Sequence, residues 1–141
     1  MPTDFNNIFF DKILQSLETL INSEFKSIDV YYDEHRGNNS FLITPTSDEL
    51  ISHLNSGIER QYTIEIEYQI KTAGKYNKND IKQVSNTMER LKRIIFNNMS
   101  HSNGDNWFDA SIESISYERD LENIGVLKST AIFNCNNIEI I

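Results

Sequence analysis

The stretch from Arg60 to Lys71 reads RQYTIEIEYQIK, and it alternates along its whole length. Tyr62, Ile64, Ile66, Tyr68 and Ile70 fall on one side; Thr63, Glu65, Glu67, Gln69 and Lys71 fall on the other. Successive side chains of a strand point to opposite faces, so this is a strand with one apolar and one polar face. A one-residue slip would reverse every side chain, so its register is firmly specified. An apolar face of this length needs a cover.

Two segments supply it. From Asp4 to about Ile21, apolar residues recur at three- and four-residue steps: Phe5, Ile8, Phe9, Ile13, Leu17, Leu20 and Ile21. That spacing predicts an amphipathic helix capped by Thr3 or Asp4 and stopped at Asn22-Ser23. After a polar loop, Thr72–Asn79, a second helix is predicted from Asn79 or Asp80 to about Asn97, with Ile81, Val84, Met88, Leu91 and Ile95 as its stripe. The stripe lasts barely two heptads, too short for a coiled coil, so it packs on the sheet. Arg90, Lys92 and Arg93 lie near its C-terminal end, where positive charge suits the helix dipole.

The remaining segments read as shorter strands. Ser27–Asp33 alternates, Glu34–Ser40 is a polar turn, and Phe41–Thr44 is a second strand, a pattern that predicts a hairpin. Pro45 is expected to end that strand. Thr46-Ser-Asp-Glu49 then matches a capping box, predicting a helical turn to about Asn55. Asn98–Asn106 is an exposed loop. Trp107–Glu118 is a strand whose alternation breaks and calls for a bulge near Glu113–Ser114. Leu121–Gly125 makes a turn, and Gly125 or Val126 to Cys135 is the last strand. Hairpin-joined strands with segregated helices define an α+β fold: an antiparallel β-sheet with two amphipathic helices packed on one face. At 141 residues the chain is expected to be a single domain, 1–141, with 136–141 as an extended C-terminal tail. Ile138, Ile140 and Ile141 in that tail need a partner and are candidate subunit contacts.

Composition narrows the function. The net charge is −8, and Lys92–Arg93 is the one adjacent basic pair. Duplex DNA binding draws most of its affinity from phosphate neutralisation, which this balance does not provide overall. One cysteine, Cys135, rules out a disulfide within the chain. No apolar run nears the ~20 residues that cross a membrane, and the start lacks a secretion signal's basic and apolar regions. His35, His53 and His101 read as surface histidines without zinc spacing, and Cys135 as a buried apolar side chain. No phosphate loop, dinucleotide fingerprint or nucleophile elbow is present. Glu65 and Glu67 share a strand face about 7 Å apart by strand geometry. Flanked by Thr63 and Gln69, they read as a solvated face rather than an acid–base pair. The expectation is a structural subunit with no catalytic residue, no metal ligand and no cofactor.

The layout resembles the tail terminator family of long-tailed bacteriophages, with its tail-completion and minor-tail proteins. The likeness lies in an N-terminal helix, FNNIFFDKILQSLETLI, a hairpin, a long strand, RQYTIEIEYQIK, and a polar loop. A helix, NDIKQVSNTMERLKRII, and two closing strands, NWFDASIESISYE and GVLKSTAIFNC, complete it. The resemblance implies a virion protein of the tail or neck, assembled in the host cytoplasm. It would form a homohexameric ring on the tail tube protein, end tail polymerisation and meet a head–tail connector or neck protein. DNA would pass through the lumen without specific binding. Glu65 and Glu67 are then candidate lumen-facing residues. Lys75, Tyr76, Asn77, His101, Asn103 and Asp105 are candidate inter-ring loop residues. The alternatives are another phage neck or tail-tube component, or a non-viral α+β adaptor module without catalysis.

Overall fold

A computed structural model describes residues 2–120 and 122–141. Two helices and five strands follow in the order α1 (Gln15–Glu24), β1 (Asp29–Tyr31), β2 (Asn39–Leu54), β3 (Gly57–Lys71), α2 (Lys78–Asn97), β4 (Phe108–Arg119) and β5 (Val126–Ile140). The strands form one sheet in the order β1-β2-β3-β5-β4, and the fold is α+β. Strand β3 lies at its centre with its polar and apolar faces as expected: Tyr62, Ile64, Ile66, Tyr68 and Ile70 are all buried. They join one core with Leu17 and Ile21 of α1 and Val84, Met88, Leu91 and Ile95 of α2, so both helices cover the same sheet face.

Local chemistry fixes the helix ends. Helix α1 is entered through a π-helical stretch, Ile8–Leu14, in which the Gln15 N–H reaches back to Phe10 O. The wider turn places Ile8 and Ile13, five residues apart, in the core together. Asn7 caps it by accepting the Phe10 N–H at 3.1 Å, so the helix starts later than Asp4 and Phe5 stays outside it, 80% exposed. For α2 the cap is Asn77, whose Oδ1 accepts from the Asp80 N–H while Asp80 accepts from the Asn77 N–H, a reciprocal capping box. Ile81, expected in the buried stripe, is exposed in the first turn. Arg90 ties the helices together: its Nε donates to Glu24 Oε1 at 2.7 Å, and its guanidinium lies over the Phe25 ring.

Four expectations for the strands are corrected. Strand β1 pairs with β2 in parallel, Asp29–Tyr31 against Ser40–Leu42, so these two are no hairpin. A strand of three residues is only about 10 Å long, so residues 32–38 suffice to carry the chain back to its start. Pro45 does not end β2. It lies beyond the segment paired to β1, on an open edge and beside the irregularity at Pro45/Ser47, the places where a sheet tolerates proline. The would-be capping box, Thr46–Glu49, is strand. Its partner segment of β3 has a fixed register, and Ser47, Asp48 and Glu49 pair with Thr63, Tyr62 and Gln61. Finally, Asn136–Ile140 is not a free tail but the end of β5, paired with Gly57–Gln61.

Strand β4 bulges between Ile112 and Ser114, at the expected place. It is also irregular between Phe108 and Ser111, where Asp109 takes a positive φ of 53°. Trp107 anchors its start, fully buried, donating from Nε1 to Asn98 O at 2.8 Å and meeting Phe133 edge-on. In the turn before β5, Asp120 accepts from the N–H groups of Glu122 and Asn123, while Leu121 lies outside the described residues.

Candidate functional site

Past Tyr62 and Cys135 the helix-covered core ends, but the sheet continues. Asp48–Leu54 of β2, Gly57–Gln61 of β3 and Asn136–Ile140 of β5 form a three-stranded arm. None of its apolar side chains enters the core. Leu50, Ile51 and Leu54 are each more than two-fifths exposed, and Ile140 is 79% exposed. Pairing places them on two faces. Leu54 and Ile140 flank Gly57, with Ile138 beside Glu59, and Leu50 lies opposite Arg60 on the other face. Gly57 is required where it stands: a Cβ there would collide with the Glu139 carbonyl oxygen. At the arm's base Tyr62 is pushed up to about 12, by burial first and then by the charge of Asp48. Asp48 in turn accepts from Arg60 Nε.

Ile138 and Ile140, flagged in the sequence, therefore belong to a larger surface, and Ile141 follows directly, its N–H donating to Ser56 O at 2.8 Å. Leu50, Ile51 and Leu54 were hidden by the helical expectation for that segment. Their signal was present as three apolar residues opposite a firm strand.

A second apolar surface lies under the C-terminal half of α2. A cleft of about 580 Å³ opens between this helix and the edge strand β4, lined by Phe96, Met99, Ile95 and Ile112 together with Lys92, Arg93 and Glu89, the last paired with Lys92 at 2.9 Å. Phe96 is 67% exposed, with the Arg93 guanidinium 6.0 Å from its ring centroid. Phe96 lies off the buried stripe, so helical periodicity gave it no role.

The polar face of the sheet is a hydrogen-bonded ladder. Thr63 Oγ1 donates to Asn134 Oδ1 at 2.6 Å, and Asn134 Nδ2 donates to Glu113 Oε2 at 2.7 Å. Glu65 and Glu67 both project from this face, away from the helices. Glu65 stands between Thr44 and Ile132. Glu67 is bound by His35, whose Nε2 lies 2.7 Å from Oε1, and by Thr130 Oγ1 at 3.4 Å. The His35 hydrogen bond is the main cause that holds Glu67 below its ordinary range.

His35 corrects the expectation of a surface histidine: its side chain is 8% exposed. Its Nδ1 is 2.7 Å from Ser40 Oγ. A carboxylate on Nε2 fixes that proton, which leaves Nδ1 of the neutral ring to accept from the serine. The connectivity Ser40–His35–Glu67 has the order of a hydrolytic triad. Ser40, however, is 1% exposed, and its Oγ also accepts the Arg36 N–H at 3.3 Å. The cleft under α2 and the smaller one at the end of α1 are lined by other residues. A nucleophile must reach a bound carbonyl, and this hydroxyl points into packed protein, so the array acts as a latch holding residues 34–38 on the sheet.

The candidate loop residues divide. Lys75 and Asn103 are exposed, while Tyr76 is half-buried against the core and Asn77 is the α2 cap. His101 stacks on Trp107 with centroids 4.6 Å apart, and Asp105 meets Lys12 Nζ at 3.3 Å. Both are built into a compact turn, which Asn137 closes by donating to the carbonyls of Asp105 and Asn106 at 2.9 Å. Cys135 is buried, and burial pushes its thiol up to about 12. Among the described residues no group of three or more His, Cys, Asp or Glu could hold a metal ion, and no helix is long and apolar enough to cross a membrane.

Fold and surfaces together define a two-layer α+β protein with an uncovered sheet arm. Comparison with models of known protein families and with curated proteins finds no match.

Proposed function

We propose that this chain is a structural, non-catalytic ring subunit of a phage tail or neck, acting as a tail terminator. In this role copies of the chain form a ring, six-fold by the family resemblance. The ring caps the tail tube protein, ends its polymerisation and presents a face to a head–tail connector. The observation that carries the reading is the arm: three paired strands with apolar side chains bare on both faces and no cover from the chain's own helices. Contiguous exposed apolar surface of this kind marks a protein–protein interface. The acidic polar face with Glu65 and Glu67 is assigned to the lumen, where like charge lets DNA slide without binding.

Light scattering on the eluting protein at high concentration, with electron microscopy of tails carrying it, tests the proposal. A discrete ring supports it. A strict monomer in solution, together with tails that end without a ring of this protein, overturns it.

A further inference from the structure

We propose that the arm of one copy docks in the α2–β4 cleft of the next, an inference that rests on the ring reading above. Both surfaces are apolar, both are bare in the single chain, and their charges are opposite. The arm carries Asp48, Glu49, Glu59 and Glu139 against Arg60, a net of −3. The cleft is lined by Lys92 and Arg93 against Glu89, a net of +1 in a chain of net −8. Arm on arm or cleft on cleft would bring like charges together, whereas arm in cleft brings unlike ones together and covers the cleft with the Leu50 face of the arm in one contact. The two halves of such a contact differ, so it is heterologous, and heterologous contacts close into rings when the rotation permits.

Backbone pairing between copies is the weaker way to join them. The open edge of β2 carries Pro45 and irregularities at Pro45/Ser47 and Leu50/Ser52, and β4 is irregular at two places. Bulges and proline are the devices by which edges avoid adding strands. The contact is therefore made by side chains: Leu50 and Ile51 beside Phe96 and Met99, with Asp48, on the face of Leu50, toward Lys92 and Arg93, and Glu49 on the opposite face adding to the negative field.

Complementary charge reversal decides the matter. One protein carries Lys92→Glu with Arg93→Glu, the other Asp48→Lys with Glu49→Lys; all four sites are exposed, and circular dichroism confirms folding. Each alone should lose assembly by at least tenfold in concentration, while a mixture of the two should form rings of alternating copies. Assembly of each variant alone at the wild-type concentration, or no recovery on mixing, overturns the arm-in-cleft contact. In that event a wild-type protein that still forms rings keeps the ring reading, whereas a wild type that stays monomeric removes both. A second measurement is independent of charge: Ile51→Cys with Phe96→Cys, oxidised, should give a covalent ladder ending at the closed ring. The buried Cys135 thiol takes no part. Cross-linking by Ile51→Cys alone, without the cleft cysteine, would mean arm-on-arm pairing and refute the proposal.

Discussion

Strand β3 passes through two environments. From Tyr62 to Ile70 its apolar face lies under two helices, and every alternate side chain is in the core. From Gly57 to Gln61 the same strand, still paired on both sides, carries no side chain into that core. In the body, burial of side chains specifies the register and supplies the stability. In the arm, the backbone ladder and the close approach at Gly57 hold the strands together, and the apolar side chains stay exposed. The difference teaches that a sheet can keep its register through its ladder where no helix covers its side chains.

The comparison breaks first in the body. Ile66 is fully buried at the centre of β3. Ile66→Ala should cost about 2–5 kcal/mol, the range for emptying a packed aliphatic site. Ile66→Asp should leave no folded protein, because a carboxylate there has no partner. Ile140→Asp, at the far end of the neighbouring strand, should change monomer stability by under about 0.5 kcal/mol, as exposed substitutions do. Denaturant unfolding of the three variants at subunit concentrations too low for assembly checks the contrast. A large loss for Ile140→Asp would mean that the arm is part of the folding core.

Gly57→Ala sharpens it. The added methyl must displace the Glu139 carbonyl, so β3 and β5 part at the arm's end, at a cost of about 1–3 kcal/mol by the usual scale of overpacking. Hydrogen exchange should quicken at Ile138–Ile140 and stay slow at Ile64–Tyr68. Equal loosening in both regions would show that arm and body are one cooperative unit.

What the sequence disclosed follows the same division. The body was legible because burial imposes periodicity: the alternation of β3 and the steps Val84, Met88, Leu91 and Ile95 of α2 are direct imprints of a core on one side. The arm was not, since exposure on both faces leaves no period to read, and Thr46–Glu49 carries a cap's residue types by coincidence. The parallel pairing of β1 was hidden because three residues of alternation carry no direction. Of the candidate interface, Ile138 and Ile140 were legible as apolar residues beyond the last buried position. Phe96 and Met99 were not, because they stand off the stripe that a helix on a sheet makes visible.

Acid should act on the latch at the other end of β2 and β3. Glu67 has its folded-state value lowered, chiefly by the hydrogen bond from His35, from an ordinary 4.5. A group of this kind contributes stability above its unfolded value, and the contribution is lost as pH falls through the folded one. Stability should therefore decline below about pH 4.5, and Glu67→Gln should flatten that decline while lowering stability at neutral pH by about 1–3 kcal/mol, the cost of a charged hydrogen bond. Urea midpoints from pH 3 to 7 check both. An unchanged acid limb in Glu67→Gln would assign the decline to other carboxylates.

The smallest effect belongs to the thiol at the boundary. Cys135 pairs with Tyr62 at the last buried apolar position of β5. Burial raises its thiol to about 12, so the thiolate that reacts with alkylating agents is scarce at neutral pH even when reagent arrives. If the arm frays alone, opening stops at Asn137, which is buried and bonded to the carbonyls of Asp105 and Asn106, short of Cys135. Iodoacetamide labelling should then follow global unfolding, with the slope against urea that the whole chain shows, and should not change when Gly57→Ala loosens the arm beyond its effect on overall stability. A labelling rate that rises at urea concentrations where the body remains intact would place the boundary further in, with Cys135 and Tyr62 on the arm's side of it. Assembly offers the complementary check. Covering the arm should leave a thiol already governed by the body unprotected further, so labelling in the ring and in the dilute subunit should proceed at the same rate once the two are matched for stability.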